Sequence, residues 1–201
     1  DPSNVQGKLW FSTATFPVGG QVIEYDIAAE ALTIHDVTYT HSVPFSIAED
    51  ENGLLWVNSH IANLFFSLNP DTGEIKHYAT SNPSVSGNLT TLPYYNVYHD
   101  GKVWFNEHYG NAIASYDPKN NTLVEYYIPS QNPLWVNSSN PLRFTFDNNG
   151  SIWFTEWTEN KLGMLAKDRL DYVPITLEVS KDRLVLDSKN NKSDTLDIYI
   201  Y

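Results

Sequence analysis

Two short pairs in this sequence could do acid–base or metal chemistry, Glu107-His108 and Glu156-Trp157. Carboxylate oxygens suit a hard cation, so Glu107 and Glu156 are candidate metal ligands as well as candidate acids. His108 and His60 titrate near neutral pH and could serve as general bases. His108, Glu107 and Glu156 therefore form the candidate catalytic set. Around them stand groups suited to holding a ligand. Tyr94, Tyr95 and Trp157 could stack on a sugar or a peptide, Arg143 could grip an anion, and His60 could join either role. Each has a plainer reading. The carboxylates could cap loops or pair with Arg143, the histidines could be exposed without a task, and the rings could simply cover an edge. With no cysteine, thiolate chemistry and Cys-ligated zinc are removed. No glycine-rich phosphate loop, paired-histidine metal motif or Ser/His/Asp set is present.

What positions these residues is a repeat. The phrase Gly7-Lys-Leu-Trp10-Phe returns as Gly53-Leu-Leu-Trp56-Val, Gly101-Lys-Val-Trp104-Phe and Gly150-Ser-Ile-Trp153-Phe, with tryptophans 46, 48 and 49 residues apart. A second marker keeps step, at Pro44, Pro93 and Pro141, and a third is the turn Asn69-Pro-Asp-Thr-Gly73, matched at Asp117-Pro-Lys-Asn-Asn121. Within one period, short runs rich in aromatic and β-branched residues alternate with turn residues and show no helical spacing. Four strands in just under fifty residues make a propeller blade, whose sheet faces are buried only by neighbouring blades. The fold expected is all-β: about four four-stranded antiparallel blades of a β-propeller over residues 1–170. The tryptophans are expected to fill the gaps between blades. In such a blade the start of strand one and the end of strand two share a rim, which would gather every candidate site residue.

The first blade lacks an innermost strand and the last lacks a fourth. The partner expected is therefore a set of upstream blades, from the same or another chain, in a ring of about seven; a four-bladed ring is the alternative. Residues 171–201 change style. Leu177-Glu-Val-Ser, Arg183-Leu-Val-Leu-Asp and Asp194–Tyr201 read as the opening strands of an incomplete immunoglobulin-like β-sandwich.

The phrase Gly150-Ser-Ile-Trp-Phe-Thr-Glu-Trp-Thr-Glu-Asn-Lys-Leu-Gly163, with its partner Gly101–Ile113, resembles the blades of the streptogramin (virginiamycin B) lyase family. The resemblance covers about residues 1–168. It implies a seven-bladed ring and, for lyases of the family, a magnesium ion and a histidine base that open a cyclic depsipeptide by elimination. Those lyases carry a histidine two residues beyond an acid at a strand end. Here those positions hold Tyr109 after Glu107 and Thr158 after Glu156.

The formal net charge of −12 opposes binding to nucleic acid or anionic lipid. No run is apolar enough to span a membrane. Five sequons, at Asn88, Asn120, Asn137, Asn149 and Asn191, point outward. The function expected is a binding or assembly platform, extracellular or in the cell envelope, with other envelope proteins as possible partners. A magnesium-dependent lyase acting on a cyclic peptide or a polysaccharide is the rival, and a structural envelope subunit the third reading.

Overall fold

The computed structural model describes residues 7–15, 19–37, 42–81, 84, 87–170, 177–179 and 198–200. Strands β1 (Lys8–Thr15), β2 (Gly19–Asp26) and β3 (Ala31–Val37) form a first sheet in that order. The second holds β4 (Pro44–Glu49), β5 (Leu55–Ser59), β6 (Leu64–Leu68) and β7 (Ile75–Ala79). A third repeats it with β8 (Pro93–His99), β9 (Lys102–Glu107), β10 (Ala112–Asp117) and β11 (Thr122–Tyr127). The fourth contains β12 (Pro141–Phe146), β13 (Ile152–Glu156) and β14 (Lys161–Leu165). Every pairing is antiparallel between strands consecutive in sequence, so each sheet is a small open meander of the propeller-blade kind. β4 lies beside β8, and β8 beside β12, so successive sheets stand next to one another along their first strands.

The chain divides into two units, residues 1–167 and 168–201. In the second, β15 (Leu177–Val179) pairs antiparallel with β16 (Ile198–Ile200). The strand expected from Arg183 lies outside the described residues, and no immunoglobulin-like sandwich is seen among those that are described. No helix among the described residues is long and apolar enough to cross a membrane.

In the second and fourth sheets the glycine turn and the tryptophan of the repeat are held by one aspartate. Asp50 Oδ1 accepts from the backbone N–H of Asn52 and Leu54 at 2.8 and 3.1 Å, while its Oδ2 accepts from Trp56 Nε1 at 3.1 Å. Asp147 does the same for Asn149, Ser151 and Trp153. One carboxylate thus closes the turn and orients the ring six residues on. These donors also hold the Asp147 carboxyl below its usual range, the Trp153 bond contributing most. The third sheet shortens this turn to Asp100-Gly101, with φ of 52° and 75°, the left-handed pair that a two-residue hairpin needs. Tyr98 then occupies the position six before Trp104, and Trp104 Nε1 is buried without an acceptor.

The tryptophan-bearing face of each sheet packs on the opposite face of the next. Trp10 and Val22 of the first meet Leu55, Val57, Phe66 and Leu68 of the second. Trp56 and Phe65 meet Val103, Phe105, Ala114 and Tyr116 of the third. Trp104 stands 5.5 Å from Phe146 of the fourth. Trp153 departs from the expected packing and is exposed, because within the first unit no sheet follows the fourth.

Candidate functional site

Pairing brings the candidate residues to one rim. Pro44 is opposite Ser59, Pro93 opposite Glu107 and Pro141 opposite Glu156. Immediately after each proline the register slips, between Pro44 and Ile47, Pro93 and Asn96, and Pro141 and Phe144. The residues pushed out of the ladder are Phe45-Ser46, Tyr94-Tyr95 and Leu142-Arg143. A bulge re-aims side chains in this way at a sheet edge. Side chains of the second strand take over the displaced backbone groups. Asn106 Oδ1 accepts from Tyr95 N–H at 2.9 Å, and its amide donates to the Pro141 carbonyl of the next sheet. Thr155 Oγ1 accepts from Arg143 N–H at 3.1 Å.

The bulges and the strand-two ends assemble an aromatic and imidazole cluster from three sheets. Phe45 lies 4.4 Å from Tyr94 and 5.2 Å from His60, centroid to centroid. Tyr94 stacks on His108 at 4.1 Å, and His60 meets His108 edge-on at 5.1 Å. The Arg143 guanidinium sits over Tyr95 at 4.4 Å and near Tyr94 at 5.7 Å. Arg143 does not pair with Glu156: among the described residues no carboxylate lies within 4 Å of it. Burial pushes the His108 imidazole down to about 3, with the adjacent His60 adding to the shift. His60 is lowered as well, again chiefly by burial and partly offset by the Pro93 carbonyl 3.4 Å from its Nδ1. Both rings are therefore neutral over the physiological range. The expected exposed histidine does not describe His108, which is buried with Nε2 unpartnered.

The turns carrying these histidines are fixed by one asparagine each. Asn63 Oδ1 accepts from Thr91 N–H at 2.7 Å and its Nδ2 donates to the Leu89 carbonyl at 2.6 Å, tying the His60 turn to the following loop. Asn111 Oδ1 accepts from Ser139 N–H and Ser139 Oγ at 2.8 Å, while Nδ2 donates to the Ile128 and Ser130 carbonyls at 2.8 Å. That holds the His108 turn in the same manner.

Glu107 faces away from this cluster, as the alternation along a strand requires. It is fully buried, and neither carboxylate oxygen has a hydrogen-bond partner. Across the small residues Ala112 and Ala114 it approaches Glu125, whose own oxygens accept from Ser81 N–H and Ser81 Oγ. Burial first, and Glu125 second, raise the Glu107 carboxyl well above the usual carboxylate range. Two carboxylates here would repel, whereas one shared proton lets them hydrogen-bond. Gly110 closes the site: a Cβ there would collide with Glu107 Oε2. Glu156 holds the equivalent place in the fourth sheet and is buried with Oε2 unpartnered. Among the described residues no three His, Asp, Glu or Cys side chains gather to hold a metal ion. With no such group of donors gathered, the described residues do not make a magnesium site.

Trp157 joins the exposed Trp135 at 5.5 Å, forming a second aromatic pair apart from the Arg143 rings. Of the sequon asparagines, Asn88 is half-buried and its Nδ2 donates to the Tyr109 and Val136 carbonyls at 2.8 and 2.7 Å. Asn120, Asn137 and Asn149 are exposed, and Asn191 lies outside the described residues. The sequence places Phe45 at the rim beside Pro44 without a role of its own, and it does not reach Glu125, which nothing short of the pairing across β10 distinguishes.

No family model and no curated protein matches this sequence. Among solved structures the chain is similar to virginiamycin B lyase from Staphylococcus aureus, at 24% identity and a TM-score of 0.65, over 81% of this chain and 50% of that one. It is similar to a streptogramin B lyase structure at 25% identity and a TM-score of 0.66, over 82% and 50%. It is also similar to the extracellular domain of a putative hybrid two-component system from B. thetaiotaomicron, at 16% identity and a TM-score of 0.59, over 95% and 23%. The fold-level resemblance to the streptogramin lyases holds, and the chain spans about half the length of the lyase structures it matches.

Proposed function

We propose that this chain is part of an extracellular propeller module that binds an anionic, ring-bearing ligand at the rim formed by Phe45, His60, Tyr94, Tyr95, His108 and Arg143. The observation that carries this reading is Arg143. Its guanidinium rests on two tyrosine rings with no carboxylate within 4 Å among the described residues, in a chain of net charge −12. A cation held over rings and left without a carboxylate partner keeps its fork of donors for a carboxylate, and the neighbouring rings offer faces for stacking. The extracellular assignment is supported by the likeness to an extracellular domain and by the exposed sequons at Asn120, Asn137 and Asn149. Labelling of intact cells with an impermeant amine reagent tests it, and a chain that stays unlabelled until lysis overturns it.

The ligand reading is tested with N-acetyltyrosine against N-acetyltyrosinamide, which share a ring and differ in one charge. A charge-assisted hydrogen bond contributes about 1.5–3 kcal/mol, so the acid is expected to bind roughly ten-fold or more tighter. Arg143→Gln should equalise the two, and Tyr94→Ala should weaken both. Equal affinities for the unaltered protein would refute the anionic preference.

A lyase acting on a cyclic peptide is the second reading, favoured by the fold likeness and by imidazoles at the rim. The donor set argues against it. Millimolar magnesium is expected to leave the melting temperature unchanged, because an ion bound to the native state alone must raise it. A magnesium-dependent rise that Glu107→Gln abolishes would restore the lyase.

A further inference from the structure

The first and second sheets do not close on each other along their whole length. A cavity of about 530 Å³ opens between them, lined by Lys8 and Trp10 of the first and Glu49, Asn52, Asn69 and Asp71 of the second. It lies at the opposite ends of the strands from the rim: Glu49 pairs with Leu55 in the ladder that begins with Pro44 opposite Ser59. The two junctions that follow show what opens it. Five residues after Pro44, Pro93 and Pro141 stand Glu49, Tyr98 and Phe146. Tyr98 packs in the cluster around Trp56, and Phe146 stands 5.5 Å from Trp104, so those two indoles are 2% and 5% exposed. At the first junction a carboxylate replaces the ring, and Trp10 stays only partly buried. A carboxylate does not fill an apolar wedge, so the wedge remains open.

The lining decides what the cavity takes. Lys8 Nζ is held by Glu24 at 2.9 Å and keeps further N–H groups to donate. Asn69 Oδ1 accepts from the backbone N–H of Asp71 and Thr72, which leaves the Asn69 Nδ2 as a donor. Among the described residues neither the Glu49 nor the Asp71 carboxylate has a cation within 4 Å, and both are acceptors. Donors and acceptors therefore alternate around one indole. An anion would meet the two carboxylates, and a cation would leave the Lys8 and asparagine donors facing it. A hydroxyl gives and accepts a hydrogen bond at once, and a sugar ring carries several of them around an apolar face that suits an indole. We propose that this cavity is a second binding site, for a non-acidic saccharide of one or two rings, with Trp10 as its platform. Its volume is that of an ordinary small-molecule site.

Cellobiose, maltose, lactose and chitobiose would each be titrated calorimetrically against the protein. At least one is expected to bind, and the uronic acid made from that disaccharide should bind about ten-fold or more weakly. Glu49→Tyr copies the second junction; it should abolish binding and raise the melting temperature by filling the wedge. Asp71→Ala keeps the turn, whose bonds to Asn69 run through the backbone, so it should weaken binding about ten-fold or more at an unchanged melting temperature. Binding of none of the four sugars overturns the proposal, as does binding that survives both substitutions. A uronic acid bound as tightly as its parent removes the charge argument, and tighter binding of N-acetyl-lysinamide assigns the cavity to a cation instead. Sugar binding lost in Tyr94→Ala but kept in Glu49→Tyr would place the saccharide at the rim, which separates failure of this site from failure of the anionic one.

Discussion

Asn111→Ala should lower the stability of the propeller unit by about 3–5 kcal/mol, as much as truncating a buried core aromatic. Asn111 is buried, and its one amide closes four hydrogen bonds at 2.8 Å: two accepted from Ser139 and two donated to the Ile128 and Ser130 carbonyls. Alanine leaves the Ser139 N–H and both carbonyls facing a void, and each buried orphan costs about 1–3 kcal/mol. Backbone strain adds to this, because Asn111 has a φ of 52°, where alanine is disfavoured by roughly 1 kcal/mol and asparagine is at ease. Asn111→Gly separates the two contributions, since glycine keeps the left-handed geometry and loses only the amide. Urea denaturation of the three proteins should rank them unaltered, then Gly, then Ala. The loss should reach the rim as well, because this staple fixes the turn that presents His108. An Asn111→Ala protein within about 1 kcal/mol of the unaltered one would mean that water replaces the amide and that the staple does not hold the turn.

The asparagine shows what the sequence could and could not disclose. As the asparagine of the Gly101–Ile113 phrase it helped to mark the blade, but its partners lie in the loop before the next sheet, 17 to 28 residues on. The rim itself was legible. Once Gly and Trp fix strand two and proline fixes strand one, antiparallel pairing forces Pro93 opposite Glu107 and Pro141 opposite Glu156. The bulges were not legible, since a slip of one residue leaves composition and period unchanged while turning Tyr94, Tyr95 and Arg143 out of the ladder. Arg143 thereby exchanged an expected carboxylate partner for two tyrosine rings. The fate of Trp153 was hidden for another reason: a repeat gives every tryptophan the same local environment, and only the neighbouring sheet decides whether it is covered. Glu125 was hidden as one polar residue in an outer strand. Its importance comes from the two alanines of β10 that let it approach Glu107.

The second large effect is on pH. His108 titrates at about 3 in the native protein and near 6.5 in an unfolded chain. The native state binds fewer protons, so the stability that the neutral ring contributes is complete above pH 6.5 and is lost as pH falls toward 3. One such group gives a slope approaching 1.4 kcal/mol per unit, or about 2 kcal/mol between pH 6.5 and 5. His60, shifted the same way, steepens that limb. Glu107 works with the opposite sign. Its raised carboxyl contributes stability that is present below the usual carboxylate range and is lost as pH rises through the raised value. Two residues adjacent in the chain therefore define a window in which both are neutral, the acid turned inward toward Glu125 and the imidazole outward against Tyr94. His108→Phe keeps a ring on Tyr94 and removes the titration, so it should flatten the acid limb and leave the alkaline one. Glu107→Gln should do the reverse, gaining on the unaltered protein as pH rises. Urea midpoints taken from pH 4.5 to 8.5 read both limbs. If the His108→Phe profile ran parallel to that of the unaltered protein below pH 6.5, the imidazole would have to be open to water, and the cluster that makes Arg143 a binding group would not be assembled as described.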